Sequence, residues 1–189
     1  MYVIDIIKTI IYVVLLVVCA YTDYKKGKIY NKYLIWFLLI YSFIYIIEYI
    51  VVFLIEKENL QILNKKLIDN LLGFVIAFVI SFIFYILGIF KGGDAKLLSI
   101  VGLFVGMNQL FTHFSIIIIV AGIVALIVLI RHKILLKRLK RVFLYFRGLI
   151  LTGHFEKYTT DVDNNVKFPF AIYILFGEII SYIYILIIK

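Results

Sequence analysis

Eleven acidic residues are set in a 189-residue chain that is 65% hydrophobic and only 16% charged. An ionisable side chain in or at the edge of a membrane-spanning helix costs free energy, so each such acid is a functional candidate until a structural role accounts for it. Five need sorting: Asp23, Glu48, Asp69, Asp94 and Glu178. Asp23 and Asp94 are predicted at the same membrane face, one where the first apolar stretch ends and the other where the fourth begins. Two carboxyl groups in one place cannot both ionise easily, so one holds a proton while the other accepts one, the arrangement that acid–base catalysis requires. Asp94, near a helix N-terminus, is expected to favour the anion, and Asp23, near a C-terminus, the proton. Glu48 and Asp69 read as interfacial groups or as partners of Lys65 and Lys66. Glu178 sits near the middle of the last apolar stretch and reads first as a structural polar contact, second as a site residue.

The elements that must position these acids follow from composition. Mean hydropathy is +1.12 with a single proline, against roughly 45 to 50% apolar residues in soluble domains. The implied fold class is all-α, a polytopic membrane protein with one bundle of about six transmembrane helices over residues 1–189. The candidate spans run from Val3 to Tyr21, Tyr33 to Ile55, Leu67 to Phe90, Leu97 to Phe111, Phe114 to Ile130 and Phe168 to Ile188. The first reads as a retained span, since it has no basic leader region or small-residue cleavage site. Fifteen of the 20 Lys and Arg residues fall on one side of this arrangement. That side is therefore expected to be cytoplasmic, with the N-terminus outside. The resulting localisation is a multi-pass protein of the cell membrane.

The net charge of +9 is explained by this asymmetry, so no nucleic-acid partner is implied. Residues 131–167 form a basic cytoplasmic loop in which Arg131 to Leu144 mixes basic and apolar positions, as a helix lying on anionic membrane lipid does. Cys19, the single cysteine, reads as a packing residue, and three scattered histidines give no metal-ligand spacing. Asp161-x-Asp163-x-Asn165 has Val166 where a calcium loop needs glycine, so it reads as a polar loop. No metal or cofactor is expected.

Two local segments surround the paired acids. One is Phe90-Lys91-Gly92-Gly93-Asp94-Ala95-Lys96-Leu97-Leu98, where Gly92 and Gly93 permit close backbone approach and Asp94 suits a helix start. The other runs from Tyr21 through Asp23 to Asn31. Together they resemble the prepilin peptidases, the type IV leader peptidase family of GxGD-type intramembrane aspartyl proteases. The first match is Asp23, Ile29, Tyr30 and Asn31; the second is Gly93, Asp94, Lys96 and Leu97 continuing to Gly102 and Gly106. The third is Phe168-Pro169-Phe170-Ala171 with Gly177, which is similar to the start of the family's last helix. Lys91 stands at the first glycine of the family's Gly-x-Gly-Asp pattern, and Tyr30 replaces a frequent proline.

The resemblance implies an aspartic endopeptidase with Asp23 and Asp94 catalytic, and with Gly92, Gly93, Lys96, Asn31 and Pro169 shaping the site or binding substrate. One acid would take a proton from water while the other donates to the peptide carbonyl. The implied substrate is a prepilin or pseudopilin of a type IV pilus or related system, with a short basic leader before a single transmembrane helix. Larger family members carry a cysteine-paired cytoplasmic region and also methylate the new N-terminus. The short form seen here is expected to be peptidase-only. Gly102-x-x-x-Gly106 permits close helix packing and is expected to set Asp94 beside the first helix. Lys96 is expected to point away from Asp94, toward headgroups or substrate carbonyls. The alternative reading is a small cation or proton transporter that uses Asp23, Asp94 and Glu178.

Overall fold

Long runs of Ile, Leu, Val and Phe with one proline leave the backbone little alternative to helix once water is excluded. A computed structural model describes residues 2–55, 59–131, 133, 136, 140, 144, 147 and 169–188. Six helices have both ends among the described residues: α1 (Tyr2–Lys26), α2 (Asn31–Ile55), α3 (Leu60–Ile86), α4 (Gly92–Val105), α5 (Met107–Arg131) and α6 (Phe170–Ile188). There is no strand among the described residues. Four helices, α1, α2, α3 and α5, are long and apolar enough to cross a membrane. The chain is a membrane-embedded helical protein. The basic segment after Arg131 and the Asp161-x-Asp163-x-Asn165 stretch lie largely outside the described residues.

Several predicted boundaries move by four residues or more, two of them with consequences for packing. The third helix begins at Leu60 instead of Leu67, and the break expected near Phe111 falls instead at Gly106. Gly106 has φ 77°, a left-handed conformation that ends α4 and lets α5 start one residue later. As a result α4 has only 14 residues, about 21 Å at 1.5 Å per residue and short of a full crossing. Nine of those 14 are buried, so α4 is an internal helix with no lipid-facing stripe.

The small-residue stripe on α4 packs α4 against α3, not α1 as the sequence suggested. A Cβ on Gly102 would collide with the Gly73 carbonyl and with Ala77, and one on Gly73 would collide with the Gly102 carbonyl. Tyr12 of α1 instead reaches α4 by stacking on Phe104, with ring centroids 4.0 Å apart.

The acids expected at the outer surface have other partners. Glu48 is buried and ion-paired with Lys8, itself buried between the Tyr45 and Tyr41 rings. Lys8 therefore lies inside the bundle and is not one of the flanking charges that bear on orientation. Lys66 pairs with Asp5 at 2.6 Å. Asp69 accepts from the Asn108 backbone N–H at 3.3 Å and its side-chain amide at 2.8 Å, capping α5. Glu178 is the expected structural contact: its Oε1 lies 3.0 Å from His113 Nδ1, joining α5 to α6. Tyr12 lies close to this pair without hydrogen-bond geometry.

Candidate active site

The two motif segments meet at one end of the bundle. Asp23 stands in the last turns of α1 and Asp94 in the first turn of α4; both are buried, at 3% and 5% exposure. Three contacts tie the α1–α2 turn to the start of α4. Lys91 Nζ donates to the Gly27 carbonyl at 3.4 Å, and Lys96 Nζ to Asn31 Oδ1 at 3.1 Å. A Cβ added to Gly93 would lie 3.0 Å from Ile29 Cβ, so glycine here permits the close approach of that turn. Gly92 faces only Tyr85, at an ordinary 3.6 Å. Of the two glycines, Gly93 is therefore the one that geometry requires. Lys91 has φ −79° and ψ 156°, an extended conformation open to any residue, so a lysine at the family's first glycine leaves the turn intact. Lys96 is directed toward Asn31 and away from the acid, which uses both residues to bridge α4 and α2.

The third motif reaches the same place from the far end of the sequence. Pro169 precedes α6, and its carbonyl accepts from the Ile172 N–H at 3.2 Å. The Ala171 N–H in the first turn has no acceptor within its own helix, and Asp23 Oδ2 supplies one at 3.1 Å. Pro169 thus sets the start of α6 on Asp23, although its own side chain makes no polar contact. Phe170 packs on Phe90, with ring centroids 4.8 Å apart, against the segment that leads to Asp94.

Asp94 accepts the Lys91 backbone N–H at 3.2 Å, the backward half of a capping box. Burial pushes its carboxyl up to about 6 from an ordinary 3.8; the Lys91 N–H works against that rise, and the Asp23 charge adds to it. The two acids are therefore within electrostatic reach of each other. Neither forms an ion pair among the described residues, whereas Glu48 and Glu178 are matched with Lys8 and His113. The surroundings of the two acids differ from those expected of their own helices. Asp23 belongs to the C-terminal end of α1, but the nearest helix terminus aimed at its carboxylate is the positive N-terminal end of α6. Asp94, though at a helix N-terminus, is dominated by desolvation.

The backbone donor at Ala171, the buried Lys8–Glu48 pair and the choice of His113 as the partner of Glu178 were not foreseen. A backbone N–H has no residue signature. A lone cation in one apolar stretch and a lone acid in the next was the available signal for Lys8 and Glu48.

Comparison with family models matches residues 10–130 to the type IV leader peptidase family. That match covers α1 to α5 with both acids and leaves out Pro169 and α6. Searches against curated proteins and against solved structures gave no match. With more than half of the chain matched by the family model, this membrane protein belongs to the type IV leader peptidase family.

Proposed function

We propose that the protein is an aspartic endopeptidase that removes the basic leader from prepilin-like, single-span substrates at the cytoplasmic face of the cell membrane. The observation that carries this reading is the pairing of Asp23 and Asp94 as buried acids that form no ion pair among the described residues, brought to one end of the bundle by three separate segments. Asp94, whose carboxyl is lifted to about 6 by burial, is the acid of the pair that donates a proton to the scissile carbonyl. Asp23 takes the proton from the attacking water. Gly93 and the Ile29 turn shape one wall of the site, and Lys96 with Asn31 fixes the turn's distance from α4. The transporter alternative is disfavoured because the acids deeper in the bundle are matched by partners, as Glu48 is by Lys8 and Glu178 by His113.

The test is co-expression with a prepilin-like protein carrying a short basic leader before its apolar helix. Asp23→Asn and Asp94→Asn each retain a side-chain oxygen that can accept the Ala171 or Lys91 N–H, so the fold is expected to persist. Leader removal is expected to fall by about 10²- to 10⁴-fold, the usual range for loss of a general acid or base. Unchanged processing in either well-folded variant rejects the reading. Mass spectrometry of the processed substrate is expected to find an unmodified N-terminal amine, as a peptidase without methyl transfer leaves.

A further inference from the structure

Beside the acid pair, on the other side of α1, a cavity of about 350 Å³ is lined by Val17, Val18, Tyr21, Lys25, Lys26 and Tyr30, with Thr22 and Tyr33. We propose that it is a binding site for an anionic glycerophospholipid, its phosphate held by Lys25 and Lys26 and an acyl chain laid along Val17 and Val18. The inference concerns lipid recognition and stands apart from the peptidase reading.

The cavity has the chemistry of such a ligand from one end to the other. Its floor is apolar, with Val17 exposed on the lipid-facing side of α1. Its rim is cationic. Lys25 donates to the Tyr21 hydroxyl at 2.9 Å, which uses one of three ammonium protons and leaves the tyrosine O–H free to donate to a phosphate oxygen. Lys26 sits 5.4 Å from the Tyr30 ring centroid, and Lys32 sits 4.9 Å from that of Tyr33. These aromatic contacts hold the ammonium groups in place without neutralising them.

No acid lines the cavity among the described residues. Lys25, Lys26, Lys28 and Lys32 form no ion pair among the described residues. Asp23, the residue after Thr22, turns the opposite way to Ala171. The result is a concentrated positive charge at a helix end that carries its own apolar groove. A phosphate attached to a hydrocarbon chain satisfies both features, whereas free phosphate satisfies only the first.

The test uses the purified full-length protein in detergent micelles, with phosphatidylglycerol and phosphatidylcholine of identical acyl chains added and retained lipid read by native mass spectrometry. Phosphatidylglycerol is expected to be retained in clear preference. The double variant Lys25→Ala/Lys26→Ala is expected to weaken that retention by about 10- to 30-fold, from roughly five-fold per lysine near an anionic headgroup. The pair Lys25→Gln/Lys26→Gln, which keeps polar side chains at the same positions, is expected to show the same loss. Lys65→Ala removes a charge at an exposed position of α3, away from the cavity, and is expected to leave retention unchanged. Millimolar inorganic phosphate is expected not to displace the lipid. Equal retention of the two lipids, a comparable loss in the Lys65→Ala variant, or displacement by inorganic phosphate would each overturn the proposal.

Discussion

Gly92 and Gly93 are neighbours in sequence with opposite tolerance for a methyl group. Gly92→Ala places its Cβ at ordinary distance from the Tyr85 ring and is expected to shift stability by no more than about 0.5 kcal/mol. Gly93→Ala pushes on Ile29 and is expected to cost about 1–3 kcal/mol, seen as a lower Tm together with slower leader cleavage. A Gly93→Ala protein with wild-type melting and activity would show that the turn moves freely. At Asp94, burial lifts the carboxyl to about 6, so the folded state binds this proton more tightly than the unfolded chain does. Its contribution to stability is then fully present below the ordinary carboxylate range and is lost as pH rises through about 6. Infrared spectra are expected to show a protonated carboxyl band that disappears over that interval and is missing from Asp94→Asn. Asp23 and Asp94 could be recognised in the sequence because an acid at a membrane edge is expensive and conspicuous. The backbone donor at Asp23 could not, because it belongs to a helix start that lies 148 residues further along the chain.

At the level of helices, the apolar cores of all six helices were legible from hydropathy, while their ends, and the shortness of α4, were not. Gly106 terminates α4 through its backbone angle, a feature that apolar runs such as Leu103-Phe104-Val105 do not announce. His113 fell in the expected gap between two spans, yet it is buried inside α5 because Glu178 receives it. The small residues of α4 signalled close packing but not the partner; complementary small residues on α3, Gly73 and Ala77, decide it. Gly102→Leu is therefore expected to separate α3 from α4 and to abolish folding in detergent, while Leu at Gly122, where a Cβ meets nothing within 4 Å, is tolerated. Between α1 and α2 the buried Lys8–Glu48 pair makes a sharper prediction. Either single alanine variant is expected to lose about 3–5 kcal/mol because it strands a buried charge, whereas Lys8→Met/Glu48→Met recovers most of the loss. Thermal melts of the two singles and the double form the cycle that measures the coupling.

For the molecule as a whole, the charge asymmetry predicts which end faces the cytoplasm. Cysteines introduced at Lys28 and at Lys65, in a Cys19→Ala background, are expected to react with a membrane-impermeant maleimide from opposite sides, Lys65→Cys in intact cells and Lys28→Cys only after lysis. Labelling of Lys28→Cys in intact cells would invert the proposed orientation. The membrane class was evident in composition because no soluble domain of this size carries so much exposed hydrocarbon. The wall built by α6 was not, because it depends on a backbone amide. That amide has a practical consequence. The stretch recognised by the family model stops before Pro169, so five helices by themselves leave Asp23 without its donor. Two polypeptides, one ending after α5 and one supplying α6, are expected to be inert when made separately and to regain peptidase activity when made together, joined by the His113–Glu178 contact and the Asp23 cap. In this protein, genetic complementation between fragments would report on the assembly of a catalytic centre.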